Sequence, residues 1–300
     1  MTDPPATERR MLLVHAHPDD ETIASGVTMA KYVAEGARVT LLTCTRGEEG
    51  EVLVPALERL AAHHDDELGP HREQELAAAM AVLGVRDHRF LGGAGRWRDS
   101  GMMGTPANDK PDAFWRADLV EASAEVARVV REVRPQVLVT YDTFGGYGHP
   151  DHIQAHRVAM YGAQLAAAAP FRPELGPVWD VPKVYWEATP RSYVQRGMDA
   201  LIAAGQTAFF GVESIDDLPF LVDDELVTAR IDGLAYEPRK MAALREHASQ
   251  VELDGEFFQL AEVVGPEAMG IEWYSLAKGV TGTESLDADG RETDLFDGVG

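Results

Sequence analysis

The run His15-Ala16-His17-Pro18-Asp19-Asp20-Glu21 places two imidazoles and three carboxylates directly after the apolar stretch Met11-Leu12-Leu13-Val14. Imidazole and carboxylate together suit a borderline divalent metal such as zinc. A second cluster, His149-Pro150-Asp151-His152, with His156 one helical turn further on, follows another apolar run, Val137-Leu138-Val139-Thr140-Tyr141. Two such clusters, each following a strand, are what a metallohydrolase centre at one edge of a parallel sheet needs. The first expectation is a metal-dependent enzyme.

Within the first cluster, the spacing lets His17 and Asp20 point at one ion where the loop turns into a helix. Asp19, between them, can face a water without binding the ion. The competing structural reading is that Asp19 or Asp20 caps the helix starting near Thr22. His15, nearer the strand interior, reads as a buried, hydrogen-bonded histidine, and Glu21 as a partner to the site or a charge at the helix start. In the second cluster two alternatives stay open. Either His152 and His156 form a ligand pair, or His149 and His152 share metal and acid roles. Gly145-Gly146-Tyr147-Gly148 is a flexible approach to His149, in which Tyr147 could donate to a developing oxyanion, or an ordinary glycine-rich loop. Gly95-Arg96-Trp97-Arg98-Asp99-Ser100-Gly101 has the aromatic, Arg and Asp content of a sugar-binding loop, or of a salt-bridged surface loop. Arg72, at a helix start beyond Gly69-Pro70, is open to the same two readings.

The elements that must position these residues alternate. A strand over 11–15 leads to a helix over roughly 22–35 that ends at Gly36, and a strand over 38–45 completes a βαβ unit. A polar loop, Gly47-Glu48-Glu49-Gly50-Glu51, precedes a helix over about 71–83 and a short strand over 87–91. The irregular stretch 92–112 has the length of a functional loop. A helix over 116–133 aligns Leu119, Val126, Val129, Val130 and Val133 on one face, and Arg134-Pro135 ends it. The strand 137–141 is followed by a helix starting at His149 or Pro150, where the missing N–H of proline costs little. Beyond Pro170 the pattern predicts a strand at Val184-Tyr185-Trp186, helices over 192–204 and 238–250, and a strand near 226–231. The acidic tail from Ser285 reads as loosely held. The expected fold is α/β: a Rossmann-like, mostly parallel sheet flanked by helices. Residues 1–170 would form the catalytic core, and 171–300 a smaller α+β region walling the pocket.

Composition excludes several partners. A net charge of −23, from 50 acidic and 27 basic residues, argues against nucleic acid or an anionic membrane as partner. The lone cysteine, Cys44, sits in an apolar run and reads as an inert packed thiol, in keeping with a reducing cytoplasm. Met1 to Arg10 lacks the apolar core of a signal peptide, and no stretch approaches the roughly 20 apolar residues of a membrane span. A cytoplasmic protein acting on a small molecule is the expectation; the sequence carries no signal of oligomeric state. A non-catalytic sugar- or nucleotide-binding module is the alternative of a different class. Against it, the first βα turn offers proline and carboxylates where a dinucleotide fold needs Gly-x-Gly-x-x-Gly.

At its two clusters, His17 to Glu21 and His149 to His152, the chain resembles the zinc-dependent deacetylases typified by N-acetylglucosaminyl-phosphatidylinositol de-N-acetylase. Further stretches narrow the resemblance to the deacetylases of actinobacterial mycothiol biosynthesis. They are Gly47 to Val52, Leu91 to Met102, Gly145 to His152, and the late Glu292-Thr293-Asp294-Leu295. The resemblance implies N-acetyl-glucosaminyl-inositol as substrate, with the related mycothiol S-conjugate amidases as the alternative. It implies His17, Asp20 and His152 as ligands of one Zn2+ per subunit, with Fe2+ also compatible. It implies Asp19 as general base, Tyr147 as oxyanion partner, and a protonated His149 kept cationic by Asp151. Arg72 and Asp99 would bind sugar and inositol hydroxyls, with Glu51 and Met102 lining the same pocket. His156 would then support the site or the fold.

Overall fold

In a computed structural model of the chain, residues 8–205, 212, 214–252 and 255–299 are described. Most of the stretch Met1 to Arg10 therefore lies outside the described residues. Strands β1 (Arg10–His15), β2 (Arg38–Thr43), β3 (Asp87–Phe90), β4 (Val137–Thr140), β5 (Lys183–Pro190), β6 (Leu221–Val222), β7 (Ala229–Asp232) and β8 (Ile271–Lys278) form one sheet. Its order is β3-β2-β1-β4-β5-β8-β7, with β6 pairing off β5. The pairs from β3 across to β5 are parallel, while β8 pairs antiparallel with both β5 and β7, so β8 alone on this path is reversed.

β1 and β4 are buried along their whole length, as central strands of a sheet covered on both faces should be. Alternation divides β1 cleanly. Leu12 and Val14 join the core under α3 (Leu119–Val133) and α5 (Pro150–Ala167). Met11 and Leu13 join the opposite core, under α1 (Asp20–Ala34) and α2 (Leu68–Leu83). From β1 the chain builds outward to β2 and β3 on one side, and to β4 and β5 on the other. The loops leaving β1 and β4 thus meet at the switch point where a doubly wound sheet opens a crevice. That geometry brings two clusters distant in sequence into one place.

The remaining helices are the single turn α4 (Gly145–Gly148), α6 (Arg191–Ala203), α7 (Glu237–Glu246), α8 (Glu256–Val264) and α9 (Glu267–Gly270). The α/β architecture is as expected; in the carboxyl-terminal half β6, α8 and α9 are additions to the expected elements, and two further departures shape the sheet and its core. β8 was not anticipated, although Ile271-Glu272-Trp273-Tyr274 carries the aromatic and branched residues of a strand. The tail is not loose. Leu295 and Phe296 are buried, and the Phe296 ring packs edge-on to Tyr32 at 5.2 Å. Lys183 and Tyr185 on β5 both donate to the buried Glu292 carboxylate, which turns an acidic segment inward. A charged composition suggested a solvated end, but its carboxylates are neutralised by partners that no local pattern reveals.

Among the described residues, no helix is long and apolar enough to cross a membrane.

Candidate metal centre

Asp20 stands between two imidazoles from different clusters. Its Oδ2 lies 3.3 Å from His17 Nδ1, and its Oδ1 lies 3.4 Å from His152 Nε2. Donors fix the carboxylate from behind: the His17 N–H and the Tyr141 hydroxyl each donate to Oδ2 at 2.8 Å. Asp19 occupies the N-cap position of α1 without a side-chain capping bond. Helix capping therefore accounts for neither aspartate.

The outer bonds of each ring set which nitrogen faces Asp20. His152 Nδ1 donates to the Gly145 carbonyl at 3.2 Å, which leaves the Nε2 lone pair inward, buried and without a hydrogen-bond partner. His17 Nε2 donates to Asp151 Oδ2 at 3.2 Å, which turns Nδ1 inward, so that Nδ1 offers its lone pair once an incoming cation takes the place of its proton. Gly145 has φ 66°, and a Cβ there would meet His152 Cβ at 2.6 Å. Glycine at this position is what lets the loop close against α5.

Two inward imidazole nitrogens and one carboxylate are a donor set that fits a divalent cation. The electrostatics agree. Burial opposes charge on Asp20, yet His152 and His17 beside it hold its pKa well below the usual range. Burial also opposes charge on His17, while Asp99, Asp151 and Asp20 hold its pKa well above the usual value. The cluster as a whole favours positive charge at this point. His149 stands close by, with a nitrogen within 4.8 Å of those of His17 and His152. A second grouping, His17 with Asp99 and Asp151, is already satisfied by hydrogen bonds. Ser100 donates its N–H (2.8 Å) and its hydroxyl to Asp151. Gly101 and Glu49 donate their N–H groups to Asp99 at 2.8 and 3.1 Å.

These bonds correct one expectation. The Asp151 carboxylate orients His17, not His149. Only the Asp151 backbone N–H meets His149, donating to Nδ1 at 3.1 Å. Burial, with His17 and His152 nearby, pushes the His149 pKa down to about 3. His149 is thus a neutral imidazole whose Nε2 carries the proton, and it can donate a hydrogen bond without being cationic. The ligand pair of His152 with His156 also fails: His156 is not among the close-set donors that gather around His17 and His152, and its ring rests against Trp186 with Nδ1 donating to the Tyr141 carbonyl at 2.9 Å.

Asp19 has φ 120° and ψ −36°, a region L side chains avoid at a cost of about 1–3 kcal/mol. Its carboxylate accepts from Arg72 Nη2 at 3.1 Å. Burial raises the Asp19 pKa to about 6 even though Arg72 opposes the rise. Arg72 is buried, and its Nη groups also donate to the carbonyls of Gly47 (2.9 Å) and Pro18. It lines the cavity, and its hydrogen bonds hold Asp19 and the backbone at Pro18 and Gly47.

A cavity of about 700 Å3 opens onto Asp19, Asp20, Tyr147 and His149, with Asp99, Glu51 and Met102 in its walls. Of the loop 95–101, only Asp99 and Gly101 face it. Trp97 is buried against Phe114, Arg96 pairs with Glu121, and Arg98 pairs with Glu49 and Asp66. The aromatic face expected to stack on a sugar belongs instead to the core. Tyr147 is 42% exposed, with its ring 4.9 Å from His152. Burial and Asp20 raise its pKa, so it stays a hydrogen-bond donor.

Several residues of the site escaped the sequence. Tyr141, which fixes Asp20, looked like the last apolar residue of a strand. Ser100, which fixes Asp151, sat in a loop read for sugar contacts. Glu187, Lys240 and Glu272 line the far side of the cavity from the carboxyl-terminal half. A carboxylate directly after Val184-Tyr185-Trp186 was the one signal available, and only for Glu187.

Residues 12–162 match the family model described as GlcNAc-PI de-N-acetylase. A protein of Geodermatophilus obscurus named 1D-myo-inositol 2-acetamido-2-deoxy-alpha-D-glucopyranoside deacetylase is 62% identical over 97% of this chain and 98% of its own. One of the same name from Streptomyces avermitilis is 56% identical over 97% and 98%. Among solved structures, N,N'-diacetylchitobiose deacetylase from Pyrococcus horikoshii is similar with a TM-score of 0.60 at 17% identity, over 91% of this chain and 85% of that one. The 4-carboxy-2-hydroxymuconate hydratase GalB of Pseudomonas putida matches with a TM-score of 0.61 at 20% identity, over 93% and 100%. A hydratase and a deacetylase on one scaffold show that these likenesses speak for the fold alone. The family match covers the strands, helices and both clusters that build the centre, and the chain belongs to the GlcNAc-PI de-N-acetylase family.

Proposed function

We propose that this protein hydrolyses the acetamide of N-acetyl-glucosaminyl-inositol to glucosaminyl-inositol and acetate, a step of mycothiol biosynthesis. The names of its relatives support the substrate. The chemistry rests on one observation: two inward imidazole nitrogens, His17 Nδ1 and His152 Nε2, flank the Asp20 carboxylate beside a cavity that also holds Asp19. His17, Asp20 and His152 would hold a divalent cation, zinc by the nature of the donors, with Fe2+ also compatible. When bound, that cation supplies Lewis acidity, polarising the amide carbonyl and acidifying a water.

The protein's own groups do the rest. Asp19, its pKa near 6, removes the proton of the attacking water and later returns it to the leaving amine. Tyr147 donates its phenolic proton in a hydrogen bond to the oxygen on which charge develops. His149 donates from Nε2 to the same tetrahedral intermediate, aligned by the Asp151 N–H at its other nitrogen. Asp151 keeps His17 in the tautomer that presents Nδ1. Asp99, Glu51 and Met102 shape the cavity around the sugar and inositol.

Tyr147→Phe is expected to lower kcat about 100-fold with little change in KM, the usual effect of removing one oxyanion donor. Steady-state kinetics on the acetylated pseudodisaccharide check it. Chelator treatment is expected to abolish turnover, and about one equivalent of Zn2+ per chain to restore it. Full turnover by chelated protein would contradict the metal assignment. Initial rates on the pseudodisaccharide and on a mycothiol S-conjugate test the substrate, and faster cleavage of the conjugate would overturn it.

A further inference from the structure

One turn of the carboxyl-terminal half reaches back to Asp19. Just past α7, His247 is wholly buried, and its Nε2 donates to Glu21 Oε1 at 3.1 Å. Glu21 is wholly buried too, and Thr22 Oγ1 donates to the same oxygen at 2.6 Å. The other oxygen, Glu21 Oε2, accepts the Asp19 N–H at 3.0 Å. That N–H belongs to the residue held at φ 120°, where nothing intrinsic to the chain would keep it.

The same turn acts on Asp19 by a second route. Ser249 donates its N–H and hydroxyl to Glu75 at 2.8 and 2.7 Å. Glu75 lies on α2, the helix that carries Arg72, and Arg72 grips the Asp19 carboxylate. Ser249 also accepts the Leu53 N–H at 3.0 Å, which ties the loop bearing Glu51 to the same point.

We propose that His247 is a positioning residue for the reaction, holding the strained Asp19 backbone in place through the Glu21 carboxylate. The inference rests on Asp19 being the base. A carboxylate buried this deeply depends on every donor it has, and losing His247 removes its one imidazole partner and leaves Oε1 with the Thr22 hydroxyl alone. Glu21 then turns toward other donors, the Asp19 N–H loses its acceptor, and the backbone relaxes toward ordinary φ. The Asp19 carboxylate moves with it, and a displacement of about 1 Å at a reacting group costs about 100-fold in rate.

The test compares His247→Leu, which removes the donor, with His247→Gln, whose amide can supply one. The readouts are kcat, KM and bound metal for the zinc-loaded enzyme. The leucine variant is expected to lose about 10- to 100-fold in kcat, with KM within about twofold and metal retained. The glutamine variant is expected to stay within about threefold of the parent. In an Asp19→Asn background, His247→Leu should cost less than about threefold more, because its effect runs through Asp19. Wild-type kcat in His247→Leu, loss of its metal, or a full additional loss in the Asp19→Asn background would each overturn the inference. Should the leucine variant not fold, His247→Asn replaces it: its amide falls short of Glu21, so it should lose at least about tenfold relative to His247→Gln. Equal activity of those two variants would overturn the inference. If Asp19→Asn itself keeps full turnover, the base assignment falls; if it is inactive while His247→Leu is normal, only the positioning role falls.

Discussion

Asp19→Asn is expected to lower kcat by about 100- to 10,000-fold, the range for removing a general base, while KM and metal content stay near the parent values. Asparagine is the right substitution for three reasons. It is isosteric, so the contact with Arg72 Nη2 at 3.1 Å survives through the amide oxygen. It tolerates positive φ better than most residues, so a backbone at φ 120° need not move. It cannot accept a proton from water at neutral pH. The turnover that remains reports on Tyr147, His149 and the cation without the base. Stopped assays over long incubations, alongside metal analysis, measure it. A variant within tenfold of the parent would remove Asp19 from the chemistry. A variant that loses its metal would show that Asp19 helps hold the ion.

Glu292→Ala should be the most damaging substitution for stability outside the cavity. Glu292 is wholly buried, and its carboxylate accepts from the Tyr185 hydroxyl at 2.6 Å, from the Gly282 N–H at 2.5 Å and from the Lys183 ammonium. Lys183 is 2% exposed, and its other acceptors are the Tyr185 hydroxyl at 3.0 Å and the Asp297 carbonyl at 2.6 Å. Removing the carboxylate leaves a buried ammonium whose remaining hydrogen-bond partners are neutral, with the Asp297 carboxylate as its remaining counter-charge. Breaking a buried ion pair from one side costs about 3–5 kcal/mol, a large share of a typical net stability. The tail that carries Leu295 and Phe296 into the core against Tyr32 would detach with it. Denaturant unfolding of the parent, Glu292→Ala and Glu292→Gln checks the prediction. Glutamine keeps the shape but not the charge, so it should fall between the other two. A loss below about 1 kcal/mol in the alanine variant would show that the tail contributes little.

The amino-terminal half of this fold was legible because its signals are local. Buried parallel strands read as unbroken apolar runs, α3 shows its stripe of valines, and Arg134 ends that helix at φ 54° just before Pro135. The carboxyl-terminal half is built from long-range polar pairs, and those leave no local pattern. Lys183 with Glu292, Lys240 with Glu272, and His247 with Glu21 each join residues more than thirty positions apart. The same limit applied at the site. Residue types and spacing pointed to two clusters at strand ends, and the sheet order explains why they meet. Which atom of which side chain faces which partner was not readable. Asp151 was expected beside His149 because it is adjacent in sequence, but the first turn of α5 points its carboxylate at His17 and Ser100. Arg72 was expected to serve the substrate; it does line the cavity, and its position under the β1–α1 turn also gives it Pro18 and Asp19 as partners, which sequence did not reveal. Glu292 to Leu295 marked a family likeness without disclosing their work, which is to plug the core.

The decisive measurement is anomalous X-ray scattering at the zinc edge from crystals of the zinc-loaded protein, paired with metal analysis of Asp20→Ala and His152→Ala. The expected result is one strong peak per chain, in contact with His17 Nδ1, the Asp20 carboxylate and His152 Nε2, and loss of the ion in both variants. A peak away from those three atoms, or full metal content in either variant, would contradict the assignment of the centre.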